Sequence, residues 1–174
     1  MKRAELREAQ RPLKERYREE PDTARLTLRA DGELGSEGVA CSVDTGRALV
    51  EAGLHPASGG DGALACSGDM LLQALVACAG VTLGAVSTSL GIPIADGRVK
   101  AEGDLDFRGT LGVDREAPVG FRDIRLSFEL DTDADDEQLA TLLKLTERYC
   151  VVLQTLTRGP QLDVTMERAT ATAA

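Results

Sequence analysis

From Ala24 the chain alternates. Leu26, Leu28 and Ala30 fall on one side and Thr27 and Arg29 on the other, a period of two that predicts a strand, with Asp31-Gly32 as the turn after it. Val39, Cys41 and Val43, set against Ala40 and Ser42, predict a second strand. Residues 53–68 hold Gly53, Pro56, Gly59, Gly60 and Gly62 and read as a long loop, the kind that in a compact domain often carries function. Apolar residues then run almost unbroken from Gly68 to Leu90. Ser67 as cap, Asp69 at the positive helix end, and Gly91 with Pro93 as the stop bound a predicted helix about 34 Å long. A helix apolar all round belongs in a core. With Gln73, Thr82, Ser87, Thr88 and Ser89 inside it, it is too polar to read as a membrane span.

Two more alternating runs follow. Val99, Ala101, Gly103, Leu105 and Phe107 oppose Lys100, Glu102, Asp104 and Asp106, and Ile124, Leu126, Phe128 and Leu130 oppose Arg125, Ser127 and Glu129. They predict a long antiparallel hairpin across the Gly-rich connection 108–122, with one buried and one wet face. After Asp133 or Asp135, the residues Leu139, Leu142, Leu143, Thr146, Cys150 and Leu153 keep helical spacing, with a break expected near Thr146. Leu162, Val164 and Met166 predict a last strand beyond Gly159-Pro160. The order is β-β-α-β-β-α-β, with room for one further short strand in 46–56, and the class is α+β. Residues 1–20 carry seven Lys/Arg and five Asp/Glu and read as an exposed helical arm stopped near Pro21; residues 21–174 form a single domain.

Composition narrows the chemistry. A net charge of −9 argues against nucleic acid, whose phosphates need clustered Lys and Arg. A single His leaves no His-rich metal site, so reactive chemistry falls to carboxylates, hydroxyls and the four thiols. The opening Met1-Lys2-Arg3-Ala4-Glu5-Leu6-Arg7 has no apolar export segment, so a cytoplasmic chain with reduced thiols is the expectation. The positions 41, 66, 78 and 150 contain no C-x-x-C pair, so neither a zinc ribbon nor a thioredoxin motif is supported.

The four thiols sort by position. Cys41 belongs to a strand core and Cys66 to the loop before the long helix. Cys78 shares a helical line with Leu71, Leu75, Thr82 and Val86, and Cys150 lies on the apolar stripe of the last helical region, so both point into a helix–helix contact. Periodicity leaves each open between a small buried hydrophobe and a reactive thiol. Cys66 is a poor disulfide partner for Cys78, because ten helical residues span about 15 Å whereas a disulfide needs Cα atoms within about 7 Å.

The segment Ser67-Gly68-Asp69-Met70-Leu71-Leu72-Gln73-Ala74-Leu75-Val76-Ala77-Cys78 resembles the motif that opens the central helix of OsmC/Ohr-type proteins. Cys150-Val151-Val152-Leu153-Gln154-Thr155-Leu156 resembles their later cysteine helix, and the order of elements agrees over residues 24–168. The resemblance implies antiparallel sheets wrapped around two buried helices in an intertwined homodimer, with sites at the subunit interface. It also implies a thiol peroxidase that reduces organic hydroperoxides under oxidative stress. Cys78 would be oxidised to a sulfenic acid and Cys150 would resolve it as a Cys78–Cys150 disulfide. No bound cofactor or metal is implied; an external dithiol, dihydrolipoyl in the better-known members, would be the reductant.

Characterised members of that family activate the nucleophile with an Arg held by a carboxylate. Asp69 occupies the place of the motif carboxylate. Arg47 is the candidate cation and Arg148 a second, since the loop from Leu54 to Gly62 contains His55 but no Arg. Val151 stands where many members have Pro. The alternative function is a non-catalytic dimeric module that binds a small apolar ligand in the same cleft.

Overall fold

The computed structural model describes residues 3–34, 41–43, 52–166 and 168. Its elements are α1 (Arg3–Glu19), β1 (Arg25–Leu34), β2 (Cys41–Val43), β3 (Ala52–Gly53), β4 (Ala65–Cys66), α2 (Ser67–Leu90), β5 (Asp96–Asp106), the short α3 (Phe107–Thr110), β6 (Asp123–Asp131), α4 (Asp136–Tyr149) and α5 (Val151–Thr157). Four strands form an antiparallel sheet in the order β2-β1-β5-β6, while β3 and β4 make a small parallel pair. The class is α+β. The alternating runs predict β5 and β6 well: Val99 faces Phe128, Ala101 faces Leu126 and Gly103 faces Ile124.

Strand β1 does not turn at Asp31-Gly32. Asp31 pairs with Lys100 and Gly32 with Val99, so the ladder to β5 carries the strand straight through to Leu34. A two-residue turn signal yields here to a long neighbouring strand that satisfies the backbone on both sides of it. β2 then returns along β1 from Leu34↔Cys41 to Gly32↔Val43. The loop read across 53–68 contains β3, β4 and a single 3-10 turn at Pro56–Ser58.

Helix α2 lies across the sheet. Leu72, Leu75, Val76 and Ala79 pack with Val99, Ala101 and Cys150 into one fully buried cluster. Farther along, Leu83 and Val86 pack with Ile92 and Leu142 of α4. Ser67 is the first helical residue rather than the cap; Cys66 holds the cap position and makes no side-chain capping bond. Gly91, at φ 69°, ends the helix with its N–H on the carbonyls of Ser87 and Thr88, a conformation that favours glycine. On its other side α2 leaves Met70, Leu71 and Val81 exposed, and Leu90 is exposed at its end.

Gly103 is also required by contact. A Cβ there would stand 2.4 Å from the ring of Phe121, which covers this end of β5 beside the thiol-bearing cluster.

The last helical region breaks at Cys150, not at Thr146. Thr146 is buried and its hydroxyl donates to the Leu142 carbonyl within α4, so the helix continues past it. Cys150, at φ −70° and ψ 106°, is at once the C-cap of α4 and the N-cap of α5. A capping box between Asp135 and Gln138 starts α4. Residues 162–166 form no strand: Leu162, Val164 and Met166 are 82%, 91% and 98% exposed. Alternation marks a two-faced segment, but a strand also needs a neighbour for its backbone.

The N-terminal helix α1 is not a free arm. Tyr17 is completely buried with Ala24, Ala57, Phe107 and Leu111, and its hydroxyl donates to the Ala57 carbonyl at 2.8 Å. Gln10 donates to the Ser58 carbonyl at 3.1 Å.

Candidate active site

Two chain segments far apart in sequence bring Cys78 and Cys150 together. Cys78 projects from the middle of α2 and is half-buried, while Cys150, at the joint between α4 and α5, is completely buried in the cluster against which Cys78 packs. Because Cys150 ends one helix and begins another, the first amides of α5 lack intrahelical partners, and no side chain caps them. These amides point at sulfur.

Burial by itself pushes the Cys78 thiol up. Against it stand the N–H of Val152, the thiol of Cys150, the N–H of Val151 and the hydroxyl of Thr82, all donating to the Cys78 sulfur, and together they leave its pKa below that of an ordinary cysteine. Cys150 goes the other way. Burial first, then the hydrogen bond and charge of the neighbouring Cys78 sulfur, push its thiol up to about 11 against the opposing N–H groups of Leu153 and Val152. The two neighbouring thiols are thus shifted in opposite directions, Cys78 toward easier ionisation and Cys150 away from it. The donors that favour the thiolate are neutral amides, a hydroxyl and a thiol.

Thr82 and the α5 amides were not singled out as site residues by the sequence reading. For Thr82 the signal was present: four residues after Cys78 places it one turn on, along the same helix face. For Val151 it was the residue itself, Val where the resemblance to OsmC/Ohr-type proteins leads one to expect Pro, because Val carries an N–H that Pro lacks; Val152 carries no such signal.

Of the other sequence-predicted residues, Asp69 lies in the first turn of α2, nine residues before Cys78, about 14 Å along the axis and half a turn round. Burial raises its pKa, with nearby His55 acting against that rise. His55 stacks on Phe107 at 5.1 Å between ring centroids, and its Nδ1 accepts the Ala57 N–H at 3.0 Å. Arg148 lies over the Tyr149 ring, 5.7 Å from its centroid. Arg47 lies outside the described residues. Cys66 is a free, half-buried thiol at the α2 cap, and Cys41 stands in β2 with its side chain outside those described. Among the described residues no group of His, Cys, Asp or Glu could hold a metal ion.

A cleft of about 260 Å³ opens beside the thiol-bearing cluster, between β6 and α5. Leu75, Phe121, Ile124, Leu126, Leu153 and Leu156 make most of its wall apolar. Chemically, the arrangement offers two free thiols packed in one cluster, Cys78 eased toward ionisation, with an apolar cleft nearby that neither cysteine lines.

The family model described as OsmC-like protein matches residues 60–165, which include Cys78 and Cys150. The fold is similar to the crystal structure of an OsmC-like hydroperoxide resistance protein from Jannaschia sp. CCS1, with a TM-score of 0.56 over 87% of this chain and 97% of that one, at 15% sequence identity. Comparison with curated protein sequences finds no significant match.

Proposed function

The chain belongs to the OsmC-like family, and from that premise we propose that it is a cysteine peroxidase reducing organic hydroperoxides. The Cys78 thiolate attacks the O–O bond: an S–O bond forms, the O–O bond breaks, Cys78 becomes a sulfenic acid and the peroxide leaves as an alcohol. Cys150 then condenses with the sulfenic acid, expelling water and giving the Cys78–Cys150 disulfide. An external dithiol of the dihydrolipoyl type reduces that disulfide by exchange, and no bound cofactor takes part. The observation that carries this reading is the packing of Cys78 against the cluster that buries Cys150, with the Cys78 pKa lowered and that of Cys150 raised. The apolar cleft suits an alkyl hydroperoxide, and the name of the structural neighbour, a hydroperoxide resistance protein, accords with it.

The working form in this reading is a cytoplasmic homodimer. β6 is the last strand of its sheet, α2 exposes Met70, Leu71, Val81 and Leu90, and residues 162–166 present alternating apolar side chains to water. An exposed apolar face together with an unpaired strand edge fits a second copy that supplies the missing strand.

The test is turnover of cumene hydroperoxide with dihydrolipoamide. The wild-type chain should consume peroxide, and Cys78→Ser and Cys150→Ser should each abolish turnover. Undiminished turnover in both variants would sink the mechanism. A wild-type chain with no turnover would favour the alternative, a dimeric module that binds a small apolar ligand.

A further inference from the structure

Resting on the peroxidase reading, we propose that the reductant attacks the Cys78–Cys150 disulfide at the Cys78 sulfur, so that Cys78 carries the mixed disulfide with the reductant and Cys150 is the thiol that leaves.

The two sulfurs differ in access. Cys150 is 0% exposed and shares its cluster with Leu72, Leu75, Val76, Ala79, Val99 and Ala101. The chain around it is not hidden: Tyr149 and Val151, on either side, are both exposed, and the joint between α4 and α5 turns the side chain between them inward. Cys78 only borders the cluster and is half-buried. Ala74, one turn before it on α2, and Val81, nearly one turn after it, are exposed. An attacking thiolate needs open space at the sulfur it strikes, on the side opposite the sulfur that leaves. Cys78 has solvent on one flank and Cys150 has none. The peroxidase reading already requires a hydroperoxide to reach Cys78 in the working assembly, and it asks no such access of Cys150.

One effect opposes this order. The Cys150 thiol, pushed up to about 11 chiefly by burial, is the poorer leaving group of the two. That slows the exchange without redirecting it, because a sulfur with no exposed surface cannot be struck until the cluster around it opens.

The balance closes with a dithiol. Its first thiolate bonds to the Cys78 sulfur, the Cys78–Cys150 bond breaks, and Cys150 leaves with the electron pair and takes up a proton. Its second thiolate then attacks the first reductant sulfur, closes a cyclic disulfide and expels Cys78 as thiolate. Two electrons pass from dithiol to protein. The sulfur released last is the one that next meets a hydroperoxide, so oxidant and reductant use one entrance in turn.

The experiment starts from the full-length protein oxidised with diamide, which makes the disulfide whether or not the chain reduces peroxides. Cys41 and Cys66 are then blocked with iodoacetamide. A brief exposure to mercaptoethanol, a monothiol that cannot complete the second step, is quenched with acid. The freed thiol is tagged with N-ethylmaleimide, and the peptides are mapped by mass spectrometry. Mercaptoethanol on Cys78 with maleimide on Cys150 should exceed the reverse pattern by about tenfold or more. In urea, where both sulfurs are open, that excess should vanish. Adducts on Cys150, or on both sulfurs equally, in the native protein overturn the proposal. An excess that persists in urea also overturns it, since burial would not be the cause, and so does failure of diamide to join Cys78 to Cys150. A disulfide that forms with diamide but not with cumene hydroperoxide overturns the peroxidase reading itself.

Discussion

Cys150 donates its thiol hydrogen to the sulfur of Cys78, and the Val152 N–H donates to both. The two thiols shift in opposite directions, Cys78 below an ordinary cysteine and Cys150, chiefly through burial, up to about 11. The amides of α5 thereby favour the charged form of the Cys78 sulfur, which can be tested without touching either cysteine.

Val151→Pro removes one of the two amide donors while preserving the start of the helix, since proline suits the first helical position. A hydrogen bond to a charged group is worth about 1.5–3 kcal/mol, so the reactivity of Cys78 near neutral pH should fall about tenfold or more. The pH profile of iodoacetamide alkylation should move toward that of an ordinary cysteine. An unchanged profile would show that the Val151 amide contributes nothing to the thiolate.

Thr82→Val should shift the same profile in the same direction, and Thr82→Ser should restore it, because the hydroxyl rather than the methyl is the donor. Mass spectrometry of the alkylated peptide identifies the residue that reports. Equal loss in both variants would assign the effect to packing.

Asp104 links the sheet to acid stability. Arg125 grips it at 2.5 and 3.2 Å, and the Thr27 hydroxyl adds a third bond. These bring its pKa down to about 2, against about 3.9 in an unfolded chain. A depressed carboxyl contributes stability that is complete above the unfolded pKa and is lost as pH falls through the folded one, here from about 4 toward about 2. The melting temperature should therefore drop across that interval. It should drop less steeply in Asp104→Asn, with the remainder due to Asp106, whose carboxyl the side chain of Arg108 also holds low. Parallel slopes in the two proteins would remove Asp104 from the account.

Tyr17 ties α1 to the domain. Tyr17→Phe leaves the Ala57 carbonyl buried without its donor and should cost about 1–2 kcal/mol in urea unfolding. Tyr17→Ala should cost about 3–5 kcal/mol, the range for truncating a buried aromatic. Full stability after deletion of residues 1–20 would contradict the docked helix.

Residues 162–166 bear on assembly. Replacing Leu162, Val164 and Met166 together with Ser removes no buried side chain of the single chain. Sedimentation should nevertheless show a dimer in the wild type and a monomer in the triple variant. A dimer that survives the change would move the interface elsewhere, to the exposed face of α2.

The sequence by itself determined the elements whose signal is local. β5 and β6 declare themselves by strict alternation, α2 by an apolar run closed with Gly91, and α4 by helical spacing behind Asp135. The motifs around Cys78 and Cys150 were legible too, since each lies within a dozen consecutive residues. Only the tertiary structure decided the rest. Asp31-Gly32 has the composition of a turn, but its pairing with β5 is set by residues nearly seventy positions away. The 1–20 segment looked like a solvated arm because one buried tyrosine is invisible among seven basic and five acidic residues. The activation of Cys78 is the sharpest case. A search for a charged side chain in the sequence could not find it, because its donors include backbone N–H groups, which every residue but proline carries. They come into play where the helix break at Cys150 leaves them unpaired and the fold sets them beside the Cys78 sulfur.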